Sequence, residues 1–206
     1  MRPGLLWDFG GVARSVAAGL ARVERALREE QAVRGLDALG EVALQAVAAE
    51  ALACEGFGVE REVRYPGAAA RPRRSEGWRC DLVLTPAARG GEGGAAADPG
   101  DRLWLEMKRV AQFAPERQTS GYAAALQGAV WRDLAKLAAD PDVRHAAQVV
   151  VVFTAAEEAA RHDLEVSLER AWSRGLRFDL AACEALPLVD RTGNAWCTTA
   201  VVRIVP

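Results

Sequence analysis

The sequence predicts a mixed α/β fold, a central sheet with helices against it, and three observations carry that expectation. Two helical stretches, one with apolar residues recurring every three or four positions and one more uniformly apolar and Ala-rich, precede the first strand-like segment. Three strand-like runs then follow with only turns and loops between them. Finally, "AAQVVVVFTAA" (146–156) is rich in β-branched residues, sits between two helical stretches and is far too short to span a bilayer. The order helix, three strands, helix, strand, helix, strands suits a mixed sheet covered on its faces.

The first helix is expected over residues 11–33, where Val12, Val16, Leu20, Val23 and Leu27 mark one face and Arg and Glu fill the others. It is read as a helical extension, 1–35, packing on its own domain or serving a dimer. A second, Ala-rich helix at about 36–55 should be largely buried, with Gly56 and Gly58 marking its end. "VEREVRY" (59–65) alternates as a strand and stops at Pro66-Gly67. "WRCDLVL" (78–84) is the second strand. Residues 86–101, Gly- and Ala-rich, lack the side chains to build a core and are expected to be a flexible loop. "LWLEMKRV" (103–110) is the third strand. A helix from about 119 to 138, a strand at 147–154, a helix at 155–173 and strands near 176–189 and 195–205 complete the chain. The main domain is thus 36–206.

Composition narrows the function classes. The 206 residues are 50% hydrophobic and 26% charged, ordinary for a globular protein. A net charge of −2 means that any attraction to nucleic acid must come from a local patch. The four cysteines, Cys54, Cys80, Cys183 and Cys197, form no C-x-x-C pair, which argues against a zinc or iron–sulfur centre and fits reduced thiols in the cytoplasm. No signal peptide or P-loop is evident.

The chemistry concentrates on two strands. Of 26 cationic residues only Lys108 and Lys136 are lysines. Alternation along a strand sends Glu106 and Lys108 to one face and Leu105 and Met107 to the other. Asp81 is a charge inside the apolar run of the preceding strand. Charges planted in a buried sheet are costly unless paired or bound to metal. Two carboxylates on adjacent strands suit Mg²⁺, an oxygen-seeking ion that keeps several of its waters. Glu41, near the start of the second helix, and Gln45, one turn later on the same face, should look toward solvent or toward this acidic site. A structural ion pair at a sheet end is the alternative.

Helix glutamate, hairpin with aspartate, strand with Glu-x-Lys, then helix and strand resembles the PD-(D/E)XK nuclease superfamily, with the restriction-endonuclease-like fold. The resemblance covers about residues 36–154 and rests on Glu41, on Asp81 in "RCDLVL" and on Glu106 and Lys108 in "LEMK". Cys80 stands where the superfamily's name has proline. The resemblance implies that Asp81 and Glu106, with the Met107 backbone carbonyl and Glu41, hold Mg²⁺ (or Mn²⁺). Lys108 is expected to orient or help deprotonate a water, or to stabilise charge on the phosphate. A compact ammonium whose pKa can shift fits that place better than an always-protonated guanidinium.

Other residues rank behind these. Lys136 lies three residues after Asp133, and the pair reads either as a solvated helix salt bridge or as a basic contribution to the site. Gln118 and Tyr122 have a Gln-x-x-x-Tyr spacing that resembles a motif of the superfamily's exonucleases. Arg71, Arg73, Arg74 and Arg79 surround Trp78, a combination suited to phosphates and an unpaired base. The expected activity is Mg²⁺-dependent hydrolysis of nucleic acid, DNA ahead of RNA, in a defence, restriction, repair or mobile-element setting. A protein partner or homodimer would supply targeting, and no membrane is involved. An inactive binding or assembly protein on the same fold, or an RNA-directed nuclease or toxin, is the alternative.

Overall fold

The computed structural model describes residues 7–67, 79–86, 98–114, 117–118 and 121–204. Its centre is a six-stranded open mixed sheet in the order β1-β2-β3-β6-β8-β7. The strands are β1 (Gly58–Arg64), β2 (Arg79–Thr85), β3 (Leu103–Ala111), β6 (His145–Thr154), β7 (Phe178–Pro187) and β8 (Trp196–Ile204). Two short strands, β4 (Phe113–Ala114) and β5 (Arg117–Gln118), pair separately. β1, β2 and β3 form an antiparallel meander, β6 lies parallel to β3, and β8 and β7 return antiparallel.

Four helical segments cover the sheet. On one face, α1 (Phe9–Glu29) and α2 (Glu41–Cys54) pack over Leu82, Leu84, Leu105, Met107, Val149, Val151 and Phe153. The opposite face carries α5 (Glu157–Trp172) and a composite helix: α3 (Tyr122–Ala124), a π-helical turn (Ala125–Ala129) and α4 (Val130–Ala138). Strand β6 is buried along nearly its whole length because both faces are covered, which is why its sequence is a continuous apolar run rather than an alternation. Val12, Val16 and Leu20 of α1 are fully buried in the same core as the sheet.

Two boundaries differ from the sequence reading for identifiable reasons. The stretch from residue 36 is a short 3₁₀ turn, Leu36–Ala38, and Gly40 in an extended conformation restarts the chain as α2, so Glu41 is the helix's first residue. The helix expected from residue 119 begins at Tyr122, after Gly121, and opens into the π turn around Gly128. At the far end of α2, Gly56 supplies the left-handed φ of 89° that lets the Phe57 amide fold back onto the Leu52 carbonyl. Residues 87–97 of the Gly/Ala-rich loop, and Arg71, Arg73, Arg74 and Trp78, lie outside the described residues.

Candidate acidic site

The site forms where β2 and β3 part. Their register runs from Leu84–Leu103 to Leu82–Leu105 and ends there, although both strands continue. Beyond that fork, β3 still presents amides toward the departed strand, and unpaired buried amides are costly. Carboxylates meet them. Asp81 Oδ2 accepts from the Met107 amide at 2.7 Å, and Glu41 Oε2 accepts from the Arg109 amide at 3.1 Å. The helix glutamate thus reaches past the fork to the same strand as the Glu-x-Lys pair.

Glu106 is the most enclosed member, 4% exposed. Its Oε1 accepts from Lys136 Nζ at 2.7 Å and from the Tyr65 hydroxyl. Tyr65 stacks on Trp104 at 5.6 Å, and the Lys136 ammonium lies 4.9 Å from its ring centre, so the lysine is fixed by a carboxylate and a π-face together. Leu105 and Met107 point into the α1/α2 core, while Glu106 and Lys108 meet α4. Lys108 Nζ bridges Glu41 Oε1 at 3.2 Å and Asp133 Oδ2 at 3.1 Å.

Charge shapes the site. Burial pushes the Asp81 carboxyl up to about 7, the Met107 amide opposes this, and the nearby Glu106 and Glu41 carboxylates add to the rise. Burial also lowers the Lys108 ammonium, but Asp133 and Glu41 outweigh it and leave its pKa above the ordinary value. The shift that the sequence reading allowed for this lysine is thus upward. Lys108 is held as a cation between two carboxylates. Burial, with Glu106 beside it, drives the Tyr65 phenol further into its protonated form.

The second-rank residues separate. Lys136 and Asp133 turn toward β3, to Glu106 and Lys108 respectively, rather than forming a solvated helix pair with each other as their main contact. Tyr122 is directed elsewhere: its hydroxyl donates to Asp163 of α5 at 2.9 Å, and burial and that carboxylate raise its pKa. Only the backbone of Gln118 is described, in β5. Gln45 is buried, 4% exposed, along α2 from Glu41. Arg79 is exposed and donates to the Glu62 carbonyl at 2.7 Å. Glu62, directly across from the Asp81 segment, holds a left-handed φ of 54°, a strained state for a non-glycine residue.

Sequence reasoning missed Tyr65, Asp133 and Cys80. Tyr65 closes "VEREVRY", and its position just before Pro66-Gly67 read as a strand end. Cys80 is fully buried and its thiol meets the Leu105 carbonyl at 3.3 Å. All four cysteines are free thiols.

Asp81, Glu106 and Glu41 offer oxygen donors only, and the other two carboxylates sit close enough to Asp81 to raise its proton affinity. That suits a hard divalent ion, which needs one or two carboxylates and completes its shell with water and phosphate. Among the described residues no group of three or more His, Cys, Asp or Glu side chains is arranged to hold a metal; Lys136, Lys108 and the Met107 and Arg109 amides contact oxygens of Glu106, Glu41 and Asp81. The fit is therefore one of two carboxylates, Asp81 and Glu106, with Glu41 behind them. A cleft of about 750 Å³ between α5 and β7, lined by Arg161, Trp172 and Cys183, contains none of these residues. The acidic site is favoured over it because a carboxyl of raised pKa, Asp81, a buried Glu106 and two fixed ammoniums converge there. No helix among the described residues is long and apolar enough to cross a membrane. Family models, curated proteins and solved structures yielded no match to this chain.

Proposed function

We propose that the protein is a Mg²⁺- or Mn²⁺-dependent nuclease with a restriction-endonuclease-like core, hydrolysing phosphodiester bonds of nucleic acid, with DNA as the first substrate to test. The observation that carries this reading is the fork itself. Asp81 and Glu106 lie side by side where β2 leaves β3, and Lys108, two residues after Glu106, faces the helix glutamate Glu41. The element order supports it as well: α2, the β1-β2-β3 meander, α4 and then β6 parallel to β3.

Asp81 and Glu106 would hold the ion, which supplies an acidified water and positive charge against the phosphate when bound. Lys108 remains protonated between Asp133 and Glu41, so its contribution is a fixed cation that stabilises developing negative charge. Lys136 neutralises Glu106 at rest, and Tyr65 fixes that carboxylate's orientation. A setting in defence, restriction, repair or mobile-element biology, and targeting by a partner or second copy, belong to the same proposal by resemblance.

Purified wild type, Asp81→Asn and Lys108→Met, incubated with duplex DNA, single-stranded DNA and RNA in Mg²⁺ or Mn²⁺, test the reading. Wild type should cleave at least one substrate only with metal present. Each variant should lose about 10²-fold or more of the rate, the usual effect of removing one electrostatic contact to developing charge. Equal cleavage by all three proteins, or none by wild type, would sink the enzyme reading; metal-independent binding of nucleic acid would then favour an inactive binding protein.

A further inference from the structure

Gln148 is a buried polar residue beside the acidic site whose presence nothing so far explains. It lies on β6 opposite Glu106 of β3 in the parallel register, and opposite Val202 of β8 on its other side. Neighbouring strands run about 4.8 Å apart and paired residues share a face, so its side chain rises next to the Glu106 carboxylate. It is fully buried, 0% exposed, and among the described residues neither Nε2 nor Oε1 has a hydrogen-bond partner. The positions two residues away on that face are Ala146 and Val150, both buried and apolar.

An amide sealed from water without partners destabilises a fold, and an apolar side chain of equal size would be better tolerated. An unpartnered polar group in an otherwise consistent core calls for an explanation, and a place in a functional site is one of the few available. What Gln148 can do follows from what surrounds Glu106. On the β2 side and above, Glu106 meets Tyr65 and Lys136, both through Oε1. A divalent ion held by Asp81 and Glu106 would compete with the Lys136 ammonium for the Glu106 carboxylate. The carboxylate then needs a donor that is neutral, already in place and on the other flank. Gln148 is that donor.

Resting on the nuclease reading above, we infer that Gln148 is a positioning residue, whose amide N–H holds Glu106 when the carboxylate exchanges Lys136 for a divalent cation. Its role is to act through Glu106 and not on the substrate. Lysine or arginine at this place would compete with the ion for Glu106, and a glutamate would add repulsion; a neutral amide does neither.

The test uses the full chain with Gln148→Met, which keeps the length and removes the donor, and Gln148→Leu as a second apolar variant. Melting is followed without metal and across a Mn²⁺ titration, alongside cleavage of the substrate that wild type accepts. The inference expects both variants to melt at or above wild type without metal. Both should need about 10-fold more Mn²⁺ for half of the metal-induced shift in Tm, the scale for residues that orient metal ligands, with a parallel loss of cleavage. Unchanged Mn²⁺ dependence and cleavage would overturn it. So would a lower metal-free Tm in both variants, because the amide would then be serving the fold. If Mn²⁺ shifts the melting of no protein and wild type does not cleave, the nuclease reading itself has failed and takes this inference with it.

Discussion

Asp81 couples the site to stability through one proton. In the unfolded chain its carboxyl ionises near the ordinary value of 3.8, whereas in the fold it keeps its proton until about 7. Between those values the folded state binds more protons, so the stability contributed by this group is complete below about 4 and is lost as pH rises toward 7. Asparagine keeps an oxygen for the Met107 amide and removes the charge. Asp81→Asn should therefore melt about 3–6 °C above wild type at pH 8 without metal, and the gap should close by pH 4. A pH-independent gap in thermal melts would contradict the assignment. Lys136 is the complementary case, since its partner Glu106 is buried beside a second carboxyl. Lys136→Met should cost about 3 kcal/mol in urea unfolding at neutral pH, as expected for a buried charge stripped of its partner. A loss below about 1 kcal/mol would mean that the pair behaves as an exposed one.

At the scale of elements, close packing and local signals decide what a sequence reveals. Helix α1 crosses α2 at Gly19, where an added Cβ would stand 2.7 Å from the Ala51 Cβ. Gly19→Val should therefore destabilise the protein by about 2 kcal/mol or more through overpacking, read as a drop in Tm. A neutral result would show that the two helices can spread. The strands were legible because β-branched runs and alternation are local: "VVVVF" announces β6, and "LWLEMK" announces β3 with its acidic and basic positions. The start of α2 was blurred because Gly40 interrupts a stretch whose composition is uniformly helical. Tyr65 and Asp133 were not legible as site residues because their partners, Glu106 and Lys108, stand 41 and 25 positions away on another strand. Only the sheet's folding brings them together.

For the whole molecule, the N-terminal helix is structural. Residues Val12, Val16 and Leu20 sit at 0% exposure in the core shared with α2 and the sheet. Buried Glu24 accepts from the Leu36 and Val189 amides and from Arg191 Nη1, tying α1 to the segment between β7 and β8. A chain starting at residue 36 should lose cooperative thermal unfolding, since it would expose that apolar face and strip Arg191 of its carboxylate. A sharp transition monitored by circular dichroism would show instead that 36–206 folds alone. The sequence left open packing on its own domain or a role in a dimer, because an amphipathic stripe does not say which surface receives it.

The fork between β2 and β3 has an experimental consequence. Asp81 and Glu41 act there as surrogate rungs, closing the hydrogen-bond ladder that the departing strand leaves open. Truncating either to alanine would fray β3 along with any chemistry, and lost turnover would then report damaged scaffolding. Amide isosteres, which preserve an acceptor for the Met107 and Arg109 backbone, are the substitutions able to tell a broken tool from a broken handle.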